Sequence, residues 1–153
     1  KLLDVGCGKG RFLHPLIASD ILVNITAMDI SDKLFQYLPE KCEKIVGNIC
    51  QIPQEQDLFD VVFCCETLEH AVNIESAIKE LVRVCKPGGQ VIIIDKDLNR
   101  KKNIRLETWE QWFDKSYLSV LLIKNNLTVE VKELITTDGP PICVWTGMKT
   151  VNA

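Results

Sequence analysis

Three glycines at alternate positions, Gly6, Gly8 and Gly10, follow the short run Leu2-Leu3-Asp4-Val5. A strand that turns through glycines into a helix presents bare backbone N–H groups to a ligand near the helix N-terminus. Each absent Cβ removes an atom that would meet the ligand or forbid the turn. Asp29 stands nineteen residues past Gly10, close to the ~20 at which a carboxylate takes a ribose hydroxyl in nucleotide-binding βαβ units. An ionised carboxylate accepts strong hydrogen bonds, and a ribose diol offers two donors. Farther along, Glu66, Glu69 and His70 gather behind an apolar run, and a histidine of ordinary basicity suits proton transfer at neutral pH. The chemistry these residues permit is capture of a nucleoside-like ligand with a base beside it. Each also has a plainer reading: a glycine-rich turn without a ligand, an acid at the start of a helix opened by Ser31 and Asp32, and a histidine at a helix start bonded to backbone.

The elements that must hold these residues alternate. Residues 2–5 read as a buried strand and 11–19 as a helix, which Pro15 is expected to end or kink. A second strand over 25–28 delivers Asp29, and a short helix over 31–38 closes at Pro39. A third strand covers 44–46. The nearly continuous apolar run 59–65 is that of a central strand covered on both faces. Residues 74–85 form an amphipathic helix with Ile74, Ala77, Ile78, Leu81 and Val82 on one side. Lys86-Pro87-Gly88-Gly89 ends it, and 91–94 is a fifth strand. Beyond it a basic loop carries Lys96, Arg100, Lys101, Lys102 and Arg105. Thr108 and Gln111 have the spacing of a capping box, which predicts a helix running through Ile123 with Trp109 and Trp112 in the core. Residues 128–134 alternate like a strand, 138–141 read as a turn, and 142–146 form a last strand.

The chain has 153 residues, with 46% hydrophobic and 25% charged side chains, an ordinary balance for one globular domain. A net charge of −3 supplies no field to draw in nucleic acid or an anionic membrane. No apolar run approaches the ~20 residues that span a bilayer. The seven cysteines include no C-x-x-C pair and several sit in apolar runs, the usage of small hydrophobes in a reducing compartment. A cytoplasmic protein without disulfides or zinc is the expectation. The chain opens on strand-like Lys1-Leu2-Leu3 without a methionine, so a preceding segment is expected to be missing.

Asp4-Val5-Gly6-Cys7-Gly8-Lys9-Gly10 has the spacing G-x-G-x-G, not the G-x-G-x-x-G of the dinucleotide fingerprint. It resembles the first motif of class I S-adenosylmethionine-dependent methyltransferases. Gly47-Asn48-Ile49-Cys50-Gln51-Ile52-Pro53 resembles the family segment Gly-Asp-x-x-x-x-Pro, with Asn48 in place of the acid. The string from Phe59 to Asp95 is similar to Phe-Asp-x-Val…Leu-x-His…Lys-Pro-Gly-Gly-x-Val. The nearest pattern is that of the small-molecule methyltransferases typified by ubiquinone and menaquinone biosynthesis. The resemblance covers the whole chain, most strongly 1–95. It implies an α/β, Rossmann-like, doubly wound fold, a mostly parallel seven-stranded sheet with an antiparallel C-terminal hairpin. Residues 1–153 would then be one S-adenosylmethionine-binding domain.

Ligands of such sheets bind at the carboxyl ends of the strands. The resemblance places the methionine moiety at Asp4, Gly6, Cys7, Gly8 and Gly10, and the ribose at Asp29 with Ile30 beside it. Adenine falls near Asn48 and Ile49, with Cys65 and Glu66 completing the crevice. Asn48 keeps a carbonyl that accepts from an amine; its other reading is an Asx turn. Methyl transfer from a sulfonium asks the protein to hold two reactants in line and exclude water, with no dedicated nucleophile. His70 is the candidate general base, with Glu66 a second candidate. Glu66-x-x-Glu69-His70 also resembles the metal-binding segment of small-RNA 2′-O-methyltransferases and some quinone O-methyltransferases. Those sites need another histidine downstream, and this chain has only His14 and His70; no metal is expected.

The expected acceptor is a small molecule, an acidic one if the basic loop meets it; otherwise that loop is a solvated charge run. The alternative from a different class is a binding or scaffold protein that kept the fold and lost turnover. The family builds its acceptor lid from segments before the first strand and after the fifth, so residues 1–153 alone are expected to bind cofactor and turn over poorly. The attacking atom and the oligomeric state are left open.

Overall fold

The computed structural model describes residues 1–19, 24–101, 104–134 and 139–151. Its seven strands are β1 (Leu2–Val5), β2 (Ile25–Asp29), β3 (Glu43–Val46), β4 (Phe59–Cys65), β5 (Cys85–Lys96), β6 (Leu127–Leu134) and β7 (Ile142–Lys149). They form one sheet in the order β3-β2-β1-β4-β5-β7-β6. The first five pair in parallel, and β7 runs antiparallel to both β5 and β6. The strand order reverses beside β1, the place where an open parallel sheet leaves a crevice at its carboxyl edge. The expected architecture is the observed one.

Helices α1 (Leu13–Ala18), α2 (Ile74–Val84) and α3 (Lys115–Lys124) cover the two faces. Side chains alternate across each strand, so β1 sends Leu3 and Val5 into a large core with α2 and α3, while Leu2 joins a smaller one. That second core gathers Leu13, Ile25, Ala27, Leu38 and Cys42 under α1. Trp145 and Phe59 are the largest wholly buried side chains. All seven cysteines are free thiols. Among the described residues no helix is long and apolar enough to cross a membrane.

Four local expectations change. Pro15 does not break α1, because it sits in the first turn, where no backbone N–H is needed. Residues Asp32–Tyr37 form a 3-10 helix without a Ser31 side-chain cap. The fifth strand begins directly after α2: Cys85 pairs with Phe59, the register shifts around Lys86-Pro87-Gly88-Gly89, and pairing resumes at Gln90 opposite Val61. Thr108 and Gln111 start no helix. Residues 111–113 lie across the strand ends instead, with Gln111 N–H donating to Glu69 O, Phe113 N–H to Lys96 O and Leu98 N–H to Phe113 O. These tertiary bonds outcompete the local capping box, and α3 starts later, capped by Asp114, whose carboxylate accepts Tyr117 N–H at 2.8 Å. Trp112 is buried as expected, but Trp109 is 66% exposed. Of the predicted 138–141 turn, Asp138 lies outside the described residues, as does Lys102 of the basic loop.

Candidate active site

The carboxyl ends of β1, β2 and β4 open onto a crevice with two lobes that share Gly6 and Glu66. One lobe, about 420 Å³, runs past Asp29, Ile30, Asn48, Ile49 and His70. The other, about 410 Å³, is lined by Asp4, Cys7, Gly8, Arg11 and Cys65 among others. All the sequence-predicted site residues except Gly10 therefore line one continuous groove. Gly10 closes the turn: its N–H donates to Cys7 O, and its carbonyl accepts from Leu13 and His14 at the start of α1.

The glycine turn needs its glycines for different reasons. Gly6, Gly8 and Gly10 all have positive φ, where a Cβ is strained. At Gly6 a Cβ would also lie 2.2 Å from Thr67 Oγ1, whereas nothing stands within 4 Å of one at Gly8. The turn is anchored to β2 by Gly6 and Cys7 N–H groups, both donating to Met28 O. It is anchored again by Gly8 N–H, which donates to Asp29 Oδ2 at 2.9 Å. Asp29 Oδ1 accepts Ser31 N–H at 3.0 Å, so each oxygen is oriented by one bond and keeps capacity to accept another.

Asp4 is 3% exposed, and among the described residues its carboxylate has no hydrogen-bond partner. Burial, reinforced by the Asp29 charge, pushes it up to about 7. Such a group favours a cationic ligand. Burial also pushes Cys7 and Cys65 up to about 12, so neither is an activated nucleophile. Glu66 holds φ +47, rare for a residue with a side chain, and turns the chain out between the lobes while pairing with Arg11 at 3.1 Å.

At the far lobe Asn48 Oδ1 accepts Cys50 N–H at 2.8 Å. The Asx turn is thus present, and Asn48 still lines the lobe. His70 also lines it, with Nε2 3.4 Å from Glu69 Oε1 and Nδ1 3.5 Å from Trp109 O. Sequence reasoning missed Thr67, which packs on Gly6, and the highly exposed Val72 at the rim. The basic loop is less free than its composition suggests: Lys96 pairs with Glu69 and Glu110, and Arg100 with Asp97 and two backbone carbonyls.

The methyltransferase domain family matches residues 3–93. The chain belongs to that family. The ubiquinone biosynthesis O-methyltransferase of Rickettsia conorii is 34% identical over 157 residues, covering 88% of this chain and 52% of the relative. Among solved structures, an S-adenosylmethionine-dependent methyltransferase from Methanosarcina mazei superposes with a TM-score of 0.79 at 22% identity, covering 99% of this chain and 92% of that one. The [4+2]-cyclase SpnF superposes at 0.84 with 17% identity over 99% and 74%; likeness at this level concerns the fold. The chain spans about half the length of the R. conorii relative. Its class I fold and its glycine turn are those expected of an S-adenosylmethionine-dependent enzyme.

Proposed function

We propose that residues 1–153 form the cofactor-binding unit of a methyltransferase that moves a methyl group from S-adenosylmethionine to an oxygen of a small-molecule acceptor. The carrying observation is the two-lobed groove, in which Asp29 is tied to the glycine turn and an unpartnered Asp4 faces the lobe next to it. These residues fit the cofactor: Asp4 suits its ammonium, Asp29 its ribose hydroxyls, and Asn48 with Ile49 and Ile30 its adenine. When bound, S-adenosylmethionine supplies a methyl group activated on a sulfonium.

The protein's own part is to orient the acceptor and receive its proton. His70 is the candidate base. The Trp109 carbonyl can only accept, so Nδ1–H donates to it at 3.5 Å and the imidazole keeps that tautomer. Nε2, 3.4 Å from Glu69 Oε1, is the nitrogen that takes the hydroxyl proton, with the Glu69 charge stabilising the imidazolium. The name of the R. conorii relative supports oxygen as the attacked atom. For an acidic acceptor, the internal pairing of Lys96 and Arg100 leaves Lys101 and Arg105 as the candidates among the described residues.

Calorimetric titration of S-adenosylmethionine and S-adenosylhomocysteine tests the reading. Micromolar binding that Asp29→Ala weakens at least roughly 30-fold is the expected result, and no binding by the unsubstituted chain overturns it. Binding without turnover across a panel of hydroxylated acceptors, in a protein of the length of the curated relatives, supports the scaffold alternative.

A further inference from the structure

A charged cluster lies between the ends of β4 and β5, on the wall behind His70. The Lys96 ammonium is 3.0 Å from Glu69 Oε1 and 2.8 Å from Oε2. The same nitrogen donates to Glu110 Oε1 at 2.9 Å. Glu110 Oε2 in turn accepts Trp112 Nε1–H at 3.3 Å. The Glu69 and Lys96 side chains are 2% and 11% exposed, so water screens neither charge well. Glu69 Oε2 is buried without a hydrogen bond: it lies within ion-pair range of Lys96 but off the hydrogen-bonding direction. Burial works against the Lys96 charge, yet Glu69 and Glu110 hold its pKa above the usual lysine value.

Two carboxylates flanking one buried cation is the arrangement that a hard divalent ion takes among oxygen ligands. Glu66-x-x-Glu69-His70 resembles a metal-binding segment, but here its donors are all engaged elsewhere. Glu66 pairs with Arg11, Glu69 with Lys96, and His70 Nδ1 faces Trp109 O. Among the described residues no three His, Cys, Asp or Glu side chains converge to hold a metal. These residues do not fit the ion.

We propose that Lys96 is the resident cation of this wall, standing between Glu69 and Glu110 where a divalent ion would otherwise sit. It is a positioning residue. Through Glu69 it holds His70, and through Glu110 it holds residues 109–113, which Gln111 stitches to Glu69 O and Ala71 O. Any part this wall plays in placing the acceptor rests on the methyl-transfer reading above; the ion-pair assignment stands without it.

The test is Mn²⁺ titration followed by electron paramagnetic resonance, with thermal unfolding, on the full chain, Glu69→Gln, Lys96→Met and Lys96→Met/Glu69→Gln. The unsubstituted chain is expected to leave Mn²⁺ free at millimolar concentration. Lys96→Met should melt roughly 5–10 °C lower, because an unpaired buried carboxylate remains. It should also gain one Mn²⁺ site that restores part of the loss, and Glu69→Gln should abolish that site. An unsubstituted chain that binds Mn²⁺ through Glu69 overturns the proposal, as does a folded Lys96→Met chain that takes none. If Lys96→Met does not fold, the unsubstituted chain and Glu69→Gln decide the matter by themselves. S-adenosylhomocysteine titrated without Mn²⁺ reports on the cofactor reading separately.

Discussion

Gly8 N–H donates to Asp29 Oδ2 at 2.9 Å, joining the glycine turn after β1 to the end of β2 across twenty-one residues. One carboxylate therefore shapes the turn and lines the crevice. Asp29→Ala should weaken S-adenosylhomocysteine binding at least roughly 30-fold, since a hydrogen bond to a charged group contributes about 2 kcal/mol. Calorimetry measures it. Loss of stability alone, with affinity unchanged, would confine Asp29 to a structural role.

Gly6 and Gly8 should separate when each is changed to alanine. Gly6→Ala combines a left-handed φ with a clash against Thr67 and should cost about 2–4 kcal/mol of stability. Gly8→Ala has the φ penalty without the clash and should cost about 1 kcal/mol. Chemical denaturation compares them, and Thr67→Ala should recover part of the Gly6→Ala loss.

Asp4 should make stability and cofactor affinity depend on pH in opposite directions. Its carboxyl is raised from 3.8 to about 7 in the folded chain. Between those values the folded chain keeps a proton that the unfolded chain has lost, so stability falls as pH rises through the window. Asp95, raised to about 8 chiefly by burial, acts with the same sign, so Asp4→Asn should flatten only part of the profile of melting temperature against pH. A ligand ammonium favours the ionised Asp4, so S-adenosylhomocysteine affinity should rise from pH 5 to about 7 and then level. Proton release at pH 6, read from calorimetry in two buffers, checks the linkage.

Asn48→Asp should keep the turn to Cys50 N–H and present a charged acceptor, raising S-adenosylhomocysteine affinity several-fold. Asn48→Ala removes both contacts and should lower affinity and stability together. Equal affinities in the three proteins would remove Asn48 from the adenine site.

What could be read from the chain was local. The Gly6–Gly10 turn, the alternation of strand and helix, the buried run 59–65 and the stop at Lys86-Pro87-Gly88-Gly89 all follow from spacing within a dozen residues. The capping box at Thr108 and Gln111 misled because it too is local, while Gln111 and Phe113 find partners at Glu69 and Lys96. Trp109 misled for the same reason, since helical spacing says nothing once no helix forms.

By itself the sequence determined a parallel sheet with a glycine turn at its first strand and a carboxylate at its second, because periodicity and glycine content act over neighbouring residues. Only the tertiary structure decided that Thr67 packs on Gly6, sixty-one residues away, and that Lys96 sits between Glu69 and Glu110. It likewise decided that Asp4 lies buried with no hydrogen-bond partner among the described residues. These depend on which strand ends converge at the crevice and on how much water remains there, and burial is what makes an unpaired carboxylate costly.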